Sequence, residues 1–415
     1  MRISEQTIHM KNINSKPFDT PLGFFWAAAE AGIKLANRLD LGLLNSETPC
    51  NAAAVFTQNL FCAAPVTFCR EMLSAHGNNI RGVVVNSGCA NAATGPDGLE
   101  NARLMARMPQ STGCAMADSE NFFVCSTGTI GVQLPMDRIR AGIAEASKKL
   151  AQTTEGFLDF ATAIMTTDTV RKTAAASLEV EGTTVRLVAC AKGSGMIHPD
   201  MATLLAYVAT DAKAAPEVLD RAFRYAVDRS LNCMTVDGDT STNDTAIILA
   251  NGASGAEIAA GSEAERDFTA ALTSVLQDLA RQLARDGEGA TKLVEILVTG
   301  APDFLSARKV GRSIAGSNLV KTAIYGRDAN WGRIVCSAGY AGVPFDVDRV
   351  RLTMGEILLF EAGGPVPFSE EDALKVLSEE KIVIHIDLGA GNEEATVWTC
   401  DLTEKYIEIN GSYRT

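Results

Sequence analysis

Residues 190–209 read CAKGSGMIHPDMATLLAYVA, and the two halves of this stretch predict different structures. The first half, from Lys192 to Ala202, is polar and is interrupted by glycine and proline, which is typical of a loop. The second half starts at Thr203 and has the length and composition of a strand that is buried on both faces. The sequence therefore places a hydroxyl at the junction between a loop and a predicted core strand.

The hydroxyl of Thr203 is a weak nucleophile unless a base lies beside it. Cleavage of the bond between Ala202 and Thr203 would give Thr203 a free α-amine, whose pKa of about 7.7–8.0 in peptides suits a general base. The same hydroxyl could perform this cleavage by attacking the preceding carbonyl in an N-to-O acyl shift. The simpler interpretation is a threonine that opens a strand and caps a backbone group, because threonine is common in strands.

The composition of the 415 residues limits the classes of function. Hydrophobic residues make up 47% of the chain, enough for two or three domains or lobes with cores of their own. The net charge of −13 argues against nucleic acid and anionic membranes as partners. Residues 1–22 contain no secretory h-region, and no apolar run approaches the roughly 18 residues that span a bilayer, so we expect a cytoplasmic protein.

The sequence also lacks most signatures of metal and cofactor sites. The ten cysteines are scattered without a CxxC pair, so we expect buried free thiols in a reducing compartment. The patterns HExxH, GxSxG, GxGxxG and GxxxxGK are absent. The acidic segment DGDTSTNDT (237–245) lacks the spacing and the final glutamate of an EF-hand. We therefore predict chemistry that needs neither a metal nor an organic cofactor.

Strand and helix patterns alternate along the chain and predict an α/β (α+β) layered sandwich with helices packed on β-sheets. The predicted strands are 82–86, 122–126, 174–180, 184–191, 203–209, 294–298, 349–353 and 381–387. One helix is predicted over 216–231, and a second runs from a capping box of Ser262 and Glu265 to residues 286–287. Ser369 caps a third helix, with Ala373, Leu374 and Leu377 expected to face inward.

Blocks of sequence along the chain resemble those of the ornithine acetyltransferase family (bifunctional glutamate N-acetyltransferases of the cyclic arginine pathway), in the family's order. They are GVVVNSGCANAATG (82–95), CSTGTIGVQLP (125–135), AIMTTDT (163–169), KGSGMIHPDMATLLAYVATDA (192–212), DGDTSTNDT (237–245), ARDGEGATK (284–292), AIYGRDANWGRI (323–334) and INGSYRT (409–415). The resemblance extends from about residue 21 to residue 415. It implies a self-processing fold like that of N-terminal-nucleophile enzymes, with residues 1–202 as an α chain and residues 203–415 as a β chain.

The resemblance also implies roles for individual residues. Thr203 would be the nucleophile at the start of the β chain, and the cleavage site would lie between Ala202 and Thr203. Thr127 and Gly128 would form the oxyanion hole. The residues implied to bind substrate are Thr166, Lys192, Thr203, Glu288, Asn410 and Thr415. A cation at Lys192 suits a substrate carboxylate and an anion at Glu288 suits an ammonium group, as a zwitterionic substrate requires.

Each implied role has a simpler alternative that the sequence leaves open. The residues around Thr127 and Gly128 have an ordinary turn composition. The others occupy positions that suit their residue types: a solvated loop for Lys192, the turn after a helix for Glu288, a turn before glycine for Asn410 and the chain end for Thr415. Polar residues beside apolar runs are predicted to be scaffold loops that position the site: Asn86, Ser87, Asn91 and 328–332.

The reaction that the resemblance implies is a ping-pong acetyl transfer. Thr203 would take the acetyl group from N2-acetyl-L-ornithine and pass it to L-glutamate, with acetyl-CoA as a further candidate donor. The family also implies an α2β2 heterotetramer built from both chains. Two other interpretations remain: an N-terminal-nucleophile aminopeptidase or amidase that passes its acyl group to water, and a scaffold that never cleaves itself.

Overall fold

The computed structural model describes residues 8–11, 18–111, 121–198 and 204–412. The predicted cleavage site at Ala202 and Thr203, which is also the predicted boundary between the two chains, lies outside these ranges, and so does Thr415. In the ranges that are described, no helix is both long enough and apolar enough to cross a bilayer.

The strands form two large sheets and a two-stranded ribbon. They are β1 (Ile8–Lys11), β2 (Phe24–Ala29), β3 (Leu41–Phe56), β4 (Ile80–Asn86), β5 (Phe122–Ser126), β6 (Lys172–Val180), β7 (Thr183–Lys192), β8 (Leu205–Thr210), β9 (Lys213–Ala214), β10 (Thr245–Ala250), β11 (Glu257–Ile258), β12 (Leu293–Ala301), β13 (Arg351–Met354), β14 (Ile357–Glu361), β15 (Gly364–Pro365), β16 (Lys381–Asp387) and β17 (Glu393–Cys400). The larger sheet has the order β1-β6-β7-β8-β10-β3-β4-β5, with β2 paired to β3. The smaller sheet has the order β15-β14-β13-β16-β12-β17, and β9 pairs with β11.

The helices lie between and beside these sheets. They are α1 (Ala64–His76), α2 (Gly95–Ser111), α3 (Met136–Lys149), α4 (Thr154–Ala163), α5 (Pro216–Asp228), α6 (Glu263–Arg285), α7 (Phe304–Ala315), α8 (Asn318–Tyr325), α9 (Trp331–Gly339), α10 (Glu370–Ser378) and α11 (Glu404–Ser412). Two short 3₁₀ helices span Leu231–Cys233 and Val347–Arg349.

The larger sheet is covered by helices on both faces. Along β8, Ala206 and Val208 belong to the core that includes α5 and α6, whereas Leu205 and Tyr207 belong to the core that includes residues of α1–α4. Successive side chains of a strand point to opposite faces, so these two cores lie on opposite sides of the sheet. Every residue of β8 is buried, which confirms the prediction of a strand buried on both faces.

The smaller sheet buries one face more completely than the other. In β12, the alternate residues Val294, Ile296 and Val298 are buried in the core, and the residues between them are partly exposed. This alternation is typical of a sheet with one face on the core. Helix α6 packs against β6 of the larger sheet and β17 of the smaller one, so it forms the layer between the two sheets. The predicted layered α/β architecture is therefore confirmed.

Most predicted elements are present, with shifts at their ends. Strands β5 and β16 have the predicted bounds, and Ser262 caps α6 by accepting a hydrogen bond from the Glu265 N–H at 3.1 Å. In a capping box the Glu265 carboxylate would accept from the N–H of Ser262. Here it accepts from the N–H of the preceding residue, Gly261, at 2.6 Å. Helix α5 ends at Asp228 rather than at residue 231, and β8 begins at Leu205.

Two further predictions need correction. Leu374 was expected to face inward but is 48% exposed, because the nine-residue α10 buries only the i,i+4 pair Ala373 and Leu377. Strand β13 begins at Arg351, after the 3₁₀ helix, and not at residue 349. The strands absent from the predicted set are β1, β2, β3, β9, β10, β11, β14, β15 and β17. The polar residues in the middle of β3 mask its two apolar halves, and its pairing with β4 is irregular at that point.

The sheet registers place the start of β8 beside the end of β7 and the start of β10. Leu205 pairs with Lys192, the last residue of β7, and with Thr245, the first residue of β10. Residue 203 precedes Leu205 by two positions, so the predicted cleavage site comes just before β8 in the sequence.

Candidate active site

A cavity of about 150 Å³ lies at this edge of the larger sheet. The predicted site residues that line it are Thr127, Gly128, Thr166, Lys192, Glu288 and Asn410. Leu204 and Leu205, the residues that follow Thr203 in the chain, line it as well. Clefts that hold drug-sized ligands have volumes of roughly 300–1,000 Å³. The smaller cavity favours an amino-acid-sized ligand.

The turn after β5 is held rigidly by Asn86, at the end of β4. The Asn86 side chain accepts a hydrogen bond from the Ser126 hydroxyl at 2.6 Å and donates to the Cys89 carbonyl at 2.9 Å. The Asn86 carbonyl accepts the Thr127 N–H at 3.0 Å. Asn86 therefore acts as a scaffold residue, as predicted. Because the Thr127 N–H is already bonded, the group that Thr127 can direct at a ligand is its hydroxyl.

Gly128 occupies a position that no other residue could take without displacing the backbone. Its φ is +130°, and a Cβ there would lie 2.3 Å from the carbonyl carbon of Gly88. Two segments of backbone are thus in direct contact at this turn. Gly128 also lines the cavity, which is the position that the predicted role as an oxyanion donor requires.

We expect Gly128→Ala to lower kcat by about 10²–10³-fold, the loss that follows removal of one oxyanion donor, because the added Cβ must push the turn away from Gly88. Steady-state kinetics, with the folded fraction checked by circular dichroism, measures this loss. Gly131→Ala is the matched control, since Gly131 also has positive φ (+77°) but a Cβ there would meet no described atom within 4 Å. Similar kcat values for both variants would contradict the assignment of Gly128.

A cation and an anion lie in the same cavity wall. The Lys192 ammonium donates to the Thr127 hydroxyl oxygen at 3.1 Å. Glu288 is 9% exposed, and its carboxylate accepts from the Asn410 amide at 2.7 Å. A Cβ on Gly195 would lie 2.3 Å from a Glu288 oxygen, so the glycine lets this carboxylate approach the loop after Lys192. The pair Lys192 and Glu288 provides complementary charges for a zwitterion.

The fully buried Lys172 holds together loops that carry the predicted substrate-binding residues. Its ammonium donates to Asp168 at 2.5 Å and to Asp286, and neither Lys172 nor Asp168 has an exposed side chain. Asp168 also accepts from the backbone N–H groups of Thr166 at 2.9 Å and Gly193 at 2.7 Å. The carboxylate thus fixes the loop of Thr166 to the loop that follows Lys192.

Asp286 connects the loop that carries Glu288 to Lys172. Its carboxylate accepts from the Thr169 N–H at 3.0 Å, and its carbonyl accepts from the Ser194 hydroxyl at 2.6 Å. The Ser194 carbonyl in turn accepts the Glu288 N–H at 2.9 Å. We name the three residues Lys172, Asp168 and Asp286 the ionic cluster. It links the backbones next to Thr166, Lys192 and Glu288, which are far apart in sequence.

The charge on Asp168 is stabilised by this cluster. Burial opposes ionisation, but the charges of Lys172 and Lys192 and the hydrogen bonds of the cluster outweigh it, and they lower the pKa of Asp168 to about 2. The carboxylate is therefore ionised throughout the neutral range and keeps its hydrogen bonds to both loops.

Asp237 fixes the remainder of the loop after β7. Its carboxylate accepts from the Met196 N–H at 2.6 Å and the Ile197 N–H at 2.8 Å, and from the Tyr406 hydroxyl at 3.2 Å. Burial, followed by the nearby charge of Asp237, raises the pKa of Tyr406 above its ordinary value. Asp237 is thus occupied by backbone and phenol donors. In the described ranges, no group of three or more His, Cys, Asp and Glu side chains is arranged to hold a metal.

Asp244 is a buried carboxyl group in the cavity wall, immediately before β10. One of its oxygens, Oδ2, has no hydrogen-bond partner among the described residues. Burial raises its pKa well above the ordinary value, although hydrogen bonds from Ser241 and the charge of Lys192 act in the other direction. Such a group favours its protonated form or a cationic partner.

Several of these residues could not be recognised from local sequence patterns. The ionic cluster and Tyr406 occupy unremarkable positions in the sequence, and the only signal was that Asp168 and Asp286 lie within family-like blocks.

The predicted scaffold segment 328–332 does not line the cavity; its Asn330 caps α9 by accepting from the Arg333 N–H at 3.2 Å. The described cysteines are free, and except for Cys62 and Cys336 they are buried, as predicted.

Comparisons with known proteins agree with the sequence blocks. Residues 25–415 match the ArgJ family. The chain is 51% identical over 399 residues to the arginine biosynthesis bifunctional protein ArgJ of Symbiobacterium thermophilum, covering 95% of this chain and 98% of that protein. It is 48% identical over 401 residues to the protein of the same name from Thermotoga neapolitana, covering 95% and 99%. A crystal structure of ArgJ from Bacillus halodurans is 42% identical, covers 50% of this chain and 98% of that chain, and has a TM-score of 0.49.

Proposed function

Because the chain belongs to the ArgJ family, we propose that it transfers an acetyl group from N2-acetyl-L-ornithine to L-glutamate. Family membership makes it an acyltransferase of arginine biosynthesis. The transfer itself proceeds in two half-reactions through an acetyl ester on Thr203. The substrates are small amino acids, which agrees with the volume of the cavity.

The enzyme first creates its own general base by cleaving its chain. The Thr203 hydroxyl attacks the Ala202 carbonyl, the C–N bond between the two residues breaks, and water hydrolyses the resulting ester. The product has an α chain that ends at Ala202 and a β chain that begins with Thr203. The new α-amine is held next to the hydroxyl and takes its proton in each later attack.

The transfer then uses the charged cavity. The Thr203 hydroxyl attacks the acetyl carbonyl of acetylornithine, the oxyanion binds to Thr127 and Gly128, and ornithine leaves with the transferred proton. In the second half-reaction the amine of glutamate attacks the acetyl ester, the ester C–O bond to Thr203 breaks, and the α-amine passes the proton from the attacking nitrogen to the Thr203 oxygen. N-acetyl-L-glutamate then leaves. Lys192 binds the substrate carboxylate and Glu288 binds an ammonium group. Thr166, Asn410 and Thr415 complete the binding site.

A single observation carries this proposal: the six described residues that were assigned to the site converge on one cavity. They come from widely separated segments of the chain, and the cavity is also lined by Leu204, the next residue after Thr203. A turn composition at Thr127 or a solvated position for Lys192 would not require either residue to face this cavity. The convergence favours the functional assignment over the simpler alternatives.

The proposed enzyme needs no cofactor and acts as an assembly of its two chains. No metal or organic cofactor takes part, and acetyl-CoA is a further acetyl donor if both activities of a bifunctional enzyme are present. We place the enzyme in the cytoplasm as an α2β2 heterotetramer of the two cleaved chains. Size-exclusion chromatography with light scattering tests the assembly.

The test of the function is an assay of both products. Purified protein is incubated with N2-acetyl-L-ornithine, with and without L-glutamate, and the products are quantified by mass spectrometry. We expect ornithine and N-acetylglutamate in equal amounts, and only a stoichiometric burst of ornithine without glutamate. Continuous release of acetate without glutamate would instead identify a hydrolase of the aminopeptidase or amidase type.

A further inference from the structure

The contact between Lys192 and Thr127 restricts the directions in which the Thr127 hydroxyl can donate its hydrogen. The two residues are 65 positions apart in the chain, and the Lys192 ammonium lies 3.1 Å from the Thr127 hydroxyl oxygen. An ammonium group has three donors and no acceptor, so the hydroxyl oxygen must accept in this pair. The hydrogen of the hydroxyl must therefore point to another acceptor.

The hydroxyl is the hydrogen-bond donor that Thr127 has for a ligand. Its backbone N–H is bonded to the Asn86 carbonyl at 3.0 Å. Asn86 is itself fixed by Ser126, and Asn243 donates to the Ser126 carbonyl at 2.8 Å. The backbone of this turn is thus immobilised from two sides. The hydroxyl is the one group of Thr127 whose hydrogen can still be redirected by rotation, and it lies in the cavity wall.

We propose that Lys192 is a positioning residue of the oxyanion hole, which orients the Thr127 hydroxyl as a donor toward the cavity. This inference deepens the proposed function and rests on it. An ammonium group has three N–H donors, and the Thr127 hydroxyl accepts one of them, so Lys192 can also bind a substrate carboxylate through another. Without the ammonium, the hydroxyl of Thr127 can rotate and present its lone pairs to the developing oxyanion.

The surroundings of Lys192 support a charged ammonium in this place. Burial lowers the pKa of Lys192, and the like charge of Lys172 acts in the same direction, but the carboxylates of Asp168, Asp244 and Glu288 act against this. Three acidic groups thus face the lysine from the loops around it. Negative charge on these groups favours the ammonium form of Lys192 and opposes the effect of burial.

A double-mutant cycle on kcat separates this role from substrate binding. The variants are Lys192→Met, Thr127→Val and the double variant, each normalised to its cleaved fraction on a denaturing gel. Valine matches the shape of threonine and removes only the hydroxyl. We expect Thr127→Val to lower kcat by about 10²-fold, as for loss of one oxyanion donor, and Lys192→Met by about 30-fold. The double variant should lose little more than Thr127→Val alone.

The cycle has distinct outcomes for kcat and KM. If Lys192 acts through Thr127, its effect on kcat in the Thr127→Val background falls to less than about 3-fold, while the increase in KM from the lost carboxylate contact remains. If the two losses in kcat multiply to about 3,000-fold, Lys192 does not act through Thr127 and the proposal is overturned. Thr127→Ser, which keeps a hydroxyl, should retain most of kcat and remain sensitive to Lys192→Met.

Controls separate failure of this inference from failure of the proposed function. Lys148→Met removes a lysine whose side chain is 74% exposed on α3, and it should leave both kinetic constants unchanged. A wild-type protein without acetyl transfer would contradict the function itself. An active wild-type protein with multiplicative losses would contradict only the role of Lys192.

Discussion

A Thr203→Ala variant is expected to remain a single uncut chain of 415 residues and to lose acetyl transfer by about 10⁴-fold or more, as when a nucleophile is removed. Two losses combine in this variant. It lacks the hydroxyl that attacks both the Ala202 carbonyl and the acetyl group, and without cleavage it lacks the free α-amine that serves as base. A denaturing gel, intact mass and N-terminal sequencing measure the cleavage, and the product assay measures the transfer.

Thr203→Ser is the matched control for this experiment. It keeps a hydroxyl at the same position, so we expect it to be cleaved before residue 203 and to retain measurable transfer. If Thr203→Ala were both cleaved and active, neither the nucleophile nor the cleavage site would be residue 203. If the wild-type protein were fully active as one uncut chain, the α-amine could not be the base.

Lys172→Met is expected to destabilise the protein by about 3–5 kcal/mol, the usual cost of removing one partner of a buried ion pair. The variant leaves two carboxylates, Asp168 and Asp286, without their shared cation in a site where none of the three side chains is more than 7% exposed. The free energy of unfolding from urea denaturation at neutral pH measures this loss. We also expect KM to rise in the folded fraction, because Asp168 and Asp286 hold the loops of the cavity.

The pH dependence of this destabilisation follows from Asp168. Its folded-state pKa of about 2 lies below the ordinary 3.8, so its ionic contribution is complete above pH 3.8 and is lost as the pH falls through 2. In the wild-type protein this contribution is lost between pH 3.8 and about 2. The difference in the free energy of unfolding between wild type and Lys172→Met should therefore shrink over the same pH range.

The control for this experiment is Lys148→Met. Lys148 is 74% exposed, so its variant should change stability by no more than about 0.5 kcal/mol. A Lys172→Met variant as stable as this control would show that the ionic cluster contributes nothing.

Much of the fold was predictable because local patterns report burial directly. The alternation or continuity of apolar residues identified β5, β8 and β16, and the spacing of apolar residues together with Ser262 identified α6. Strand β3 was missed because polar residues interrupt it where its pairing with β4 becomes irregular. Leu374 was misplaced because a helix of two to three turns can bury a very narrow stripe.

The residues of the site were identified by a different kind of signal. Thr203 stood out because of its place between a glycine-rich loop and a buried strand. The oxyanion turn and the charged residues Lys192 and Glu288 were assigned by resemblance to a family, and each had a simpler alternative that no local pattern could eliminate. Their convergence on one cavity favours the functional alternative.

The sequence by itself predicted the layered α/β architecture, because strand and helix patterns are local, and its family-like blocks pointed to chemistry at residue 203. Only the tertiary structure decided which groups are free to act. It bonds the Thr127 N–H to Asn86, places the Lys192 ammonium on the Thr127 hydroxyl and buries Lys172 between two carboxylates. These contacts join residues that are up to 114 positions apart, and hydrogen bonds across such separations arise from packing of the sheets and loops, which periodicity along the chain does not encode.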